Sequence, residues 1–354
     1  MPFQTALTQA LGIAIPVVQG GMQWVGYAEL ASAVSNAGGL GIVTSLHSCS
    51  TPKSPKTNNS PSKLTGLTQR TPEDLRKEIR RCRTMTTKPF AVNITLLPSL
   101  VAPDYDAYAQ VVIDEGVKIV ETAGNSPGPI IKRLKEAGIT ILHKCTTIRH
   151  ALSAEKLGVD FLSIDGFECA GHVGEHDITN FILLRRAAQT LKTPFIASGG
   201  LGDGQGLAGA LALGACGINM GTRFMCTVES PIHENIKKAI VAATEDDTTL
   251  VLRRWKNTSR LFKNKVAQEA RKIESESPTG KFEEVAHLVS GKRGREVFTR
   301  GDAEYGVWTA GPVMGLIHDI PTCEVLVKRI EKEAEEAIAK IAKIAGWDVV
   351  KSKL

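Results

Sequence analysis

Eight short, mostly apolar runs separated by stretches of helical period constrain this 354-residue chain more than any single residue does. The runs fall at residues 13–18, 40–44, 89–94, 117–122, 140–144, 160–165, 194–197 and 215–220. Helical stretches lie between them at 27–37, from Thr71 onward, and at 103–115, 127–137, 147–157, 180–191 and 205–213. Runs this short that do not alternate with polar residues need cover on both faces, as in a parallel sheet flanked by helices. Eight such units predict an α/β fold, a (β/α)8 TIM barrel, in which the reactive residues come from the C-terminal ends of the strands. An open, doubly wound sheet is the alternative. That fold carries a glycine fingerprint after its first strand, which Gln19-Gly20-Gly21-Met22 does not supply.

Beyond Met220 the pattern changes. Residues 232–300 are more charged, contain Arg253-Arg254 and Lys292-Arg293, and show helical but no strand-like periodicity. They predict a smaller helical domain inserted after the eighth strand. The expected organisation is a barrel over 1–230, a helical substrate-side subdomain over 231–305, and a C-terminal segment over 306–354 that returns to the barrel. In that segment Pro321 starts a helix reaching about residue 345, with a face set by Val325, Ile330, Ala334, Ile338, Ile341 and Ala345. Residues 47–70 are rich in Ser, Thr, Pro, Asn and Lys and have no apolar period, so they read as a loop. No acid occurs from Leu30 to Pro72, which leaves that loop cationic through Lys53, Lys56, Lys63 and Arg70. It reads as a solvated insertion on the catalytic face.

Composition narrows the function classes. The net charge is +6, but Lys and Arg are scattered without an arginine-rich or aromatic-interleaved block, which argues against nucleic-acid binding. Seven cysteines form no CxxC pair and no zinc spacing, as expected of reduced thiols inside a cell. No run is long enough to span a bilayer, and the N-terminus is not a secretory signal. The chain stops at Ser352-Lys353-Leu354. In a eukaryote this tripeptide is read by the peroxisomal import receptor. In a bacterium it carries no address, and the expected location is the cytoplasm.

The loops after the last two strands, Ala197-Ser198-Gly199-Gly200 and Asn219-Met220-Gly221-Thr222, offer bare backbone N–H groups and hydroxyls where barrels commonly bind phosphate. Asn93 and Lys144 close the third and fifth strands, and a lysine at the end of an apolar strand must reach water or meet an anion. His172, between Gly171 and Val173 in the stretch after the sixth strand, can be held against a flat or charged ligand. Together these describe a cofactor with a phosphate and a polar ring edge, more readily FMN than a nicotinamide dinucleotide.

Gln19-Gly20-Gly21-Met22, Val92-Asn93, His143-Lys144, the stretch from Gly166 to Gly174, Ala197-Ser198-Gly199-Gly200 and Asn219-Met220-Gly221-Thr222-Arg223-Phe224 resemble the nitronate monooxygenase (2-nitropropane dioxygenase) family. The resemblance spans residues 13 to about 345. It implies a (β/α)8 barrel carrying non-covalent FMN beside a smaller helical domain. It also implies that Gly21 and Met22 line the flavin ring, that Asn93, Lys144 and Gly171 lie against the cofactor, and that Ser198, Gly199, Gly200, Gly221 and Thr222 hold its phosphate. His172 would be the catalytic histidine. The expected reaction is oxidation of alkyl nitronates by O2, with nitroalkanes as a further substrate class. Gly-Phe-Glu-Cys-Ala-Gly-His also resembles the NAD(P)H:quinone reductases of the same superfamily, and that alternative stays open. So does a non-redox barrel for a phosphorylated metabolite, for instance an aldolase using Lys144 as a Schiff-base lysine.

Overall fold

A computed structural model of the chain describes residues 3–46, 68–69, 71–96 and 103–347. The 47–70 loop, apart from residues 68 and 69, and the C-terminal Ser352-Lys353-Leu354 lie outside the described residues.

The eight strands are β1 (Val17–Gln19), β2 (Gly41–Leu46), β3 (Phe90–Leu96), β4 (Ile119–Gly124), β5 (Thr140–Cys145), β6 (Phe161–Asp165), β7 (Phe195–Ser198) and β8 (Ile218–Met220). All pair in parallel in the order β1-β8-β7-β6-β5-β4-β3-β2. The ring closes between β1 and β2 through the bridge Val18–Leu40, with Gln19 N–H donating to the Leu40 carbonyl and Leu40 N–H to that of Val17, both at 2.9 Å. Closure leaves the sheet no edge, which a parallel sheet of short strands needs. Among the described residues no helix is long and apolar enough to cross a membrane.

The strand period of two sorts the barrel interior into layers. Ile42, Ala91, Ile119, Leu142, Phe161 and Ile196, one from each of six consecutive strands, form a single apolar cluster with Leu7 and Leu11 of the first helix, Ala6–Leu11. Ile119 and Phe161 are the first residues of their strands, so that helix plugs the N-terminal end. Two residues further along, the same strands place Thr44, Asn93, Glu121, Lys144, Ser163 and Ser198. The interior therefore turns polar toward the C-terminal mouth, where the site lies.

Residues 231–305 are not wholly helical. They contain an antiparallel hairpin, β9 (Thr248–Val251) and β10 (Ser259–Phe262), and β10 continues onto the two-residue strand Gly171–His172. The helices Lys265–Glu276 and Glu283–Ala286 pack on it around a separate apolar cluster that includes Val251, Leu261, Val266, Phe282 and Val285.

The C-terminal helix runs over Cys323–Ile344, with the Thr322 hydroxyl accepting from Val325 N–H as its cap. It packs between the helices Gly204–Ala212 and Ala28–Asn36, in the place of an eighth barrel helix. Its buried face is Cys323, Leu326, Val327, Ile330 and Ala334. Ile338 and Ile341, expected on that face, are exposed because burial ends at Ala334 and the following turns run past the helices that cover the earlier ones; Val325, also expected there, is exposed because it lies about 140° round the helix from Ile330, off the buried face.

Candidate active site

A cavity of about 830 Å3 spans the C-terminal mouth of the barrel, and every residue singled out above as catalytic or cofactor-binding lines it. They stand in distinct environments. At one end lie the two glycine turns. Gly199 and Gly200 have φ of 92° and 72°, and a β-carbon on Gly199 would come within 2.7 Å of Cys169 N, so the turn admits no side chain. Among the described residues the Ser198 hydroxyl has no hydrogen-bond partner. The Thr222 hydroxyl accepts from Gly311 N–H at 3.1 Å and keeps its own proton to donate. The N-terminus of the helix after β7 is already capped by side chains of this chain. Asp203 already accepts from Gly206 N–H at 2.7 Å, and Glu333 of the C-terminal helix accepts from Gly204 N–H at 2.9 Å. What the turns leave open there is their backbone N–H groups and the Ser198 and Thr222 hydroxyls.

The floor is organised by Glu121, a residue the sequence reading missed. Its fully buried carboxylate accepts from Gly21 N–H at 3.0 Å, Asn93 Nδ2 at 2.7 Å and Asn219 Nδ2 at 3.1 Å. Asn93 also accepts from the Thr95 hydroxyl at 2.9 Å, so its amide faces the floor network as well as the cavity. Met22 N–H donates to the Thr44 hydroxyl at 2.9 Å. With Gly20 N–H donating to the Met220 carbonyl at 3.1 Å, the Gly20-Gly21-Met22 backbone is pinned to β2, β4 and β8. A lone carboxylate inside the apolar run Ile119-Val120-Glu121-Thr122 was the available signal, since a buried charge must find partners.

Lys144 Nζ lies 3.3 Å from Asp165, whose other oxygen accepts from the Ser163 hydroxyl at 3.1 Å. Burial pulls the Lys144 pKa down, but the carboxylates of Asp165 and Glu121 outweigh it and hold the amine above the ordinary lysine range. An amine kept protonated is not a Schiff-base nucleophile. Burial pushes the Cys169 thiol up to about 12 and raises Cys145 as well, so neither supplies a thiolate at neutral pH.

His172 is half-buried, with its backbone stitched to β10 by pairing with Ser259 and Val173 N–H donating to the Thr258 carbonyl at 3.2 Å. Burial lowers its pKa, opposed by a hydrogen bond with Asn257 and by Glu175, so the ring is neutral at physiological pH. Glu175 is structural: it accepts from Thr258 N–H at 3.0 Å and from the Thr258 hydroxyl at 2.7 Å. Trp24, Leu252 and Lys256 are the non-glycine residues with positive φ among the described residues, and all three line this cavity, where stored backbone strain commonly marks a functional wall.

His143, beside Lys144, is buried and bonded to the Thr122 hydroxyl at 2.8 Å, and burial, with a smaller effect of His150, lowers its pKa to about 4. Between pH 6.5 and 4 the unfolded chain binds a proton there that the folded chain refuses, so stability falls as pH falls through this window, by roughly 3 kcal/mol at most. His143→Gln should flatten the dependence of the melting midpoint on pH from 7 down to 5. An equal slope in both proteins would place its source elsewhere.

The family profile described as nitronate monooxygenase matches residues 4–333. The chain belongs to the nitronate monooxygenase family. Among its relatives, a (3aS,4S,5R,7aS)-5-hydroxy-7a-methyl-1-oxo-octahydro-1H-indene-4-carboxyl-CoA dehydrogenase of Mycobacterium tuberculosis is 30% identical, over 94% of this chain and 97% of that protein. A nitronate monooxygenase of Paraburkholderia phytofirmans is 28% identical over 96% and 98%. Of solved structures, FabK from Thermotoga maritima superposes with a TM-score of 0.83 at 33% identity, covering 97% of this chain and 99% of that one. These members of the nitronate monooxygenase family and its kin are oxidoreductases, and so is this chain; the class is flavin-dependent.

Proposed function

We propose that this protein binds FMN across the barrel mouth and oxidises alkyl nitronates with O2. The observation that carries the reading is one continuous cavity with a glycine-and-hydroxyl turn pair at one end and a neutral histidine with a protonated lysine along its walls. The residues fit the cofactor. Among the described residues the unpartnered Ser198 hydroxyl, the spare Thr222 proton and the side-chain-free turn at Gly199 match a phosphate, and the Gly20-Gly21 backbone, without side chains at the cavity wall, leaves room for a ring.

When bound, FMN supplies the electron acceptor for the nitronate and the route of those electrons to O2. The chain's residues do the rest. His172, held by β10 and Asn257, donates a hydrogen bond to a nitro oxygen through its neutral ring, and in its other tautomer the same ring takes the α-proton of a neutral nitroalkane. Lys144 does not add a net positive charge, because Asp165 and Glu121 stand beside it. Gly21 and Met22, fixed by Glu121 and Thr44, present backbone to the ring face.

Ser198→Ala combined with Thr222→Ala removes two phosphate donors and should weaken FMN retention by about 10- to 100-fold, measured as flavin released on dialysis. Full retention would move the phosphate elsewhere. The reaction itself is tested by mixing the yellow holoenzyme anaerobically with propyl nitronate and, separately, with NADH. Bleaching by nitronate supports the oxidase reading. Bleaching by NADH alone would sink it in favour of a second reading, NAD(P)H-dependent reduction of a quinone or an activated alkene, to which the size of the cavity and the dehydrogenase activity named for the Mycobacterium tuberculosis relative lend weight.

A further inference from the structure

The glycine turn after β7 is held from behind by a side chain that does not line the cavity. Asn180 is the first residue of the helix Asn180–Thr190, between β6 and β7. Its amide Nδ2 donates to the Ser198 carbonyl at 3.0 Å and to the Gly199 carbonyl at 2.6 Å. Gly166 N–H donates to the same Ser198 carbonyl at 3.0 Å. In a trans peptide the N–H points away from the C=O of its own unit. Tying these two carbonyls back therefore turns the N–H groups of Gly199 and Gly200 forward, and among the described residues neither N–H has an acceptor. Two successive N–H groups presented this way make a concavity for an anion.

The amide is held in this orientation at a cost. Its Oδ1 is buried and has no hydrogen-bond partner among the described residues, and a β-carbon on Gly166 would lie 2.4 Å from it. Reversing the amide would set Oδ1 against two carbonyl oxygens, so the Nδ2 bonds decide the orientation. A buried oxygen without a partner is uncommon in a native protein and calls for a compensating role. The backbone at Asn180 is fixed as well, because both carboxylate oxygens of Glu168 accept from Asn180 N–H at 3.1 Å. Glu168 brings a negative charge close to the turn, but the Arg260 guanidinium stands within electrostatic reach of it.

We propose that Asn180 is a positioning residue that makes the site selective for a flavin bearing a phosphate over one without it. The inference rests on the reading that the FMN phosphate lies at this turn. Asn180 acts through the orientation of two peptide units, so the part of the affinity that depends on phosphate passes through it. The part that depends on the ring is set at Gly20-Gly21 by Glu121 and is independent of Asn180.

The full-length protein, stripped of flavin, is titrated with FMN and with riboflavin, each followed by the change in flavin fluorescence. The wild type should bind FMN at least about tenfold more tightly. Asn180→Ala should weaken FMN by about tenfold or more and leave riboflavin within about twofold, so the preference collapses. Riboflavin binding doubles as the check that the variant is folded. Gly166→Ala reaches the same result by another route, since its β-carbon displaces the Asn180 amide from the turn. The proposal is overturned if the wild type binds riboflavin as tightly as FMN, if Asn180→Ala keeps the wild-type preference, or if it weakens both flavins equally, as a merely structural residue would. A wild-type protein that takes up neither flavin removes the cofactor reading and this inference with it; flavin bound with unchanged preference by the variant removes this inference alone.

Discussion

Replacing His172 by alanine should lower turnover by about 10²- to 10⁴-fold while FMN stays bound, the range expected for loss of a positioned proton donor or acceptor. The residue sits on a two-residue strand whose register is set by Ser259 and Arg260 of β10, so its truncation leaves the barrel, the glycine turns and the Glu121 network untouched. The pH profile separates the two roles of the ring. Its pKa lies below the ordinary histidine value, so the neutral form persists as pH falls through the mid-sixes, and activity carried by a neutral His172 should hold to lower pH than a solvent-exposed histidine would allow. His172→Asn keeps a hydrogen-bond donor but no base. Partial rescue with nitronates and none with nitroalkanes is expected. Unchanged turnover in the alanine variant would remove His172 from the chemistry.

Glu121→Ala should have the largest effect on stability. It strands Gly21 N–H, Asn93 Nδ2 and Asn219 Nδ2 in a buried layer and takes a carboxylate away from Lys144, for a cost of about 3–5 kcal/mol. In a chain of this length that lowers the melting midpoint by roughly 10 °C. Glu121→Gln is less costly, because one oxygen still accepts, but its amide then faces a donor, and about 1–3 kcal/mol is expected. Both variants should also release flavin sooner, since the Gly21 turn loses its tether. An alanine variant melting within about 1 °C of the wild type would mean that the three donors find other partners.

Much of this was readable from the chain. The eight apolar runs mark the eight strands, although β1 and β8 are shorter than their runs, because twist and closure leave only part of each run in register. What the runs hid was the face each residue takes. Stepping two residues from Ala91, Ile119, Leu142, Phe161 and Ile196 lands on Asn93, Glu121, Lys144, Ser163 and Ser198, so the polar floor was written in the sequence as a period, and a search confined to strand ends passed over Glu121. The hairpin was harder to see. Thr248–Val251 and Ser259–Phe262 are four residues each, too short to show alternation, and one of their pairing partners, Gly171–His172, lies far away in sequence. Ile338 and Ile341 misled for the opposite reason: helical spacing shows that residues share a face and says nothing of where the neighbouring structure stops.

The pairing of Gly171–His172 with β10 also ranks the parts of the molecule by how firmly they are held. The barrel has a closed ladder and a plugged end, whereas the strand bearing His172 is two residues long and its ladder partner belongs to a hairpin with a small hydrophobic cluster of its own. A segment of that kind opens at a lower free energy than the ladder beneath it. On heating, the enzyme would fall silent with its barrel intact, and cooling would restore it, so the inserted hairpin works as a thermal fuse for the chemistry.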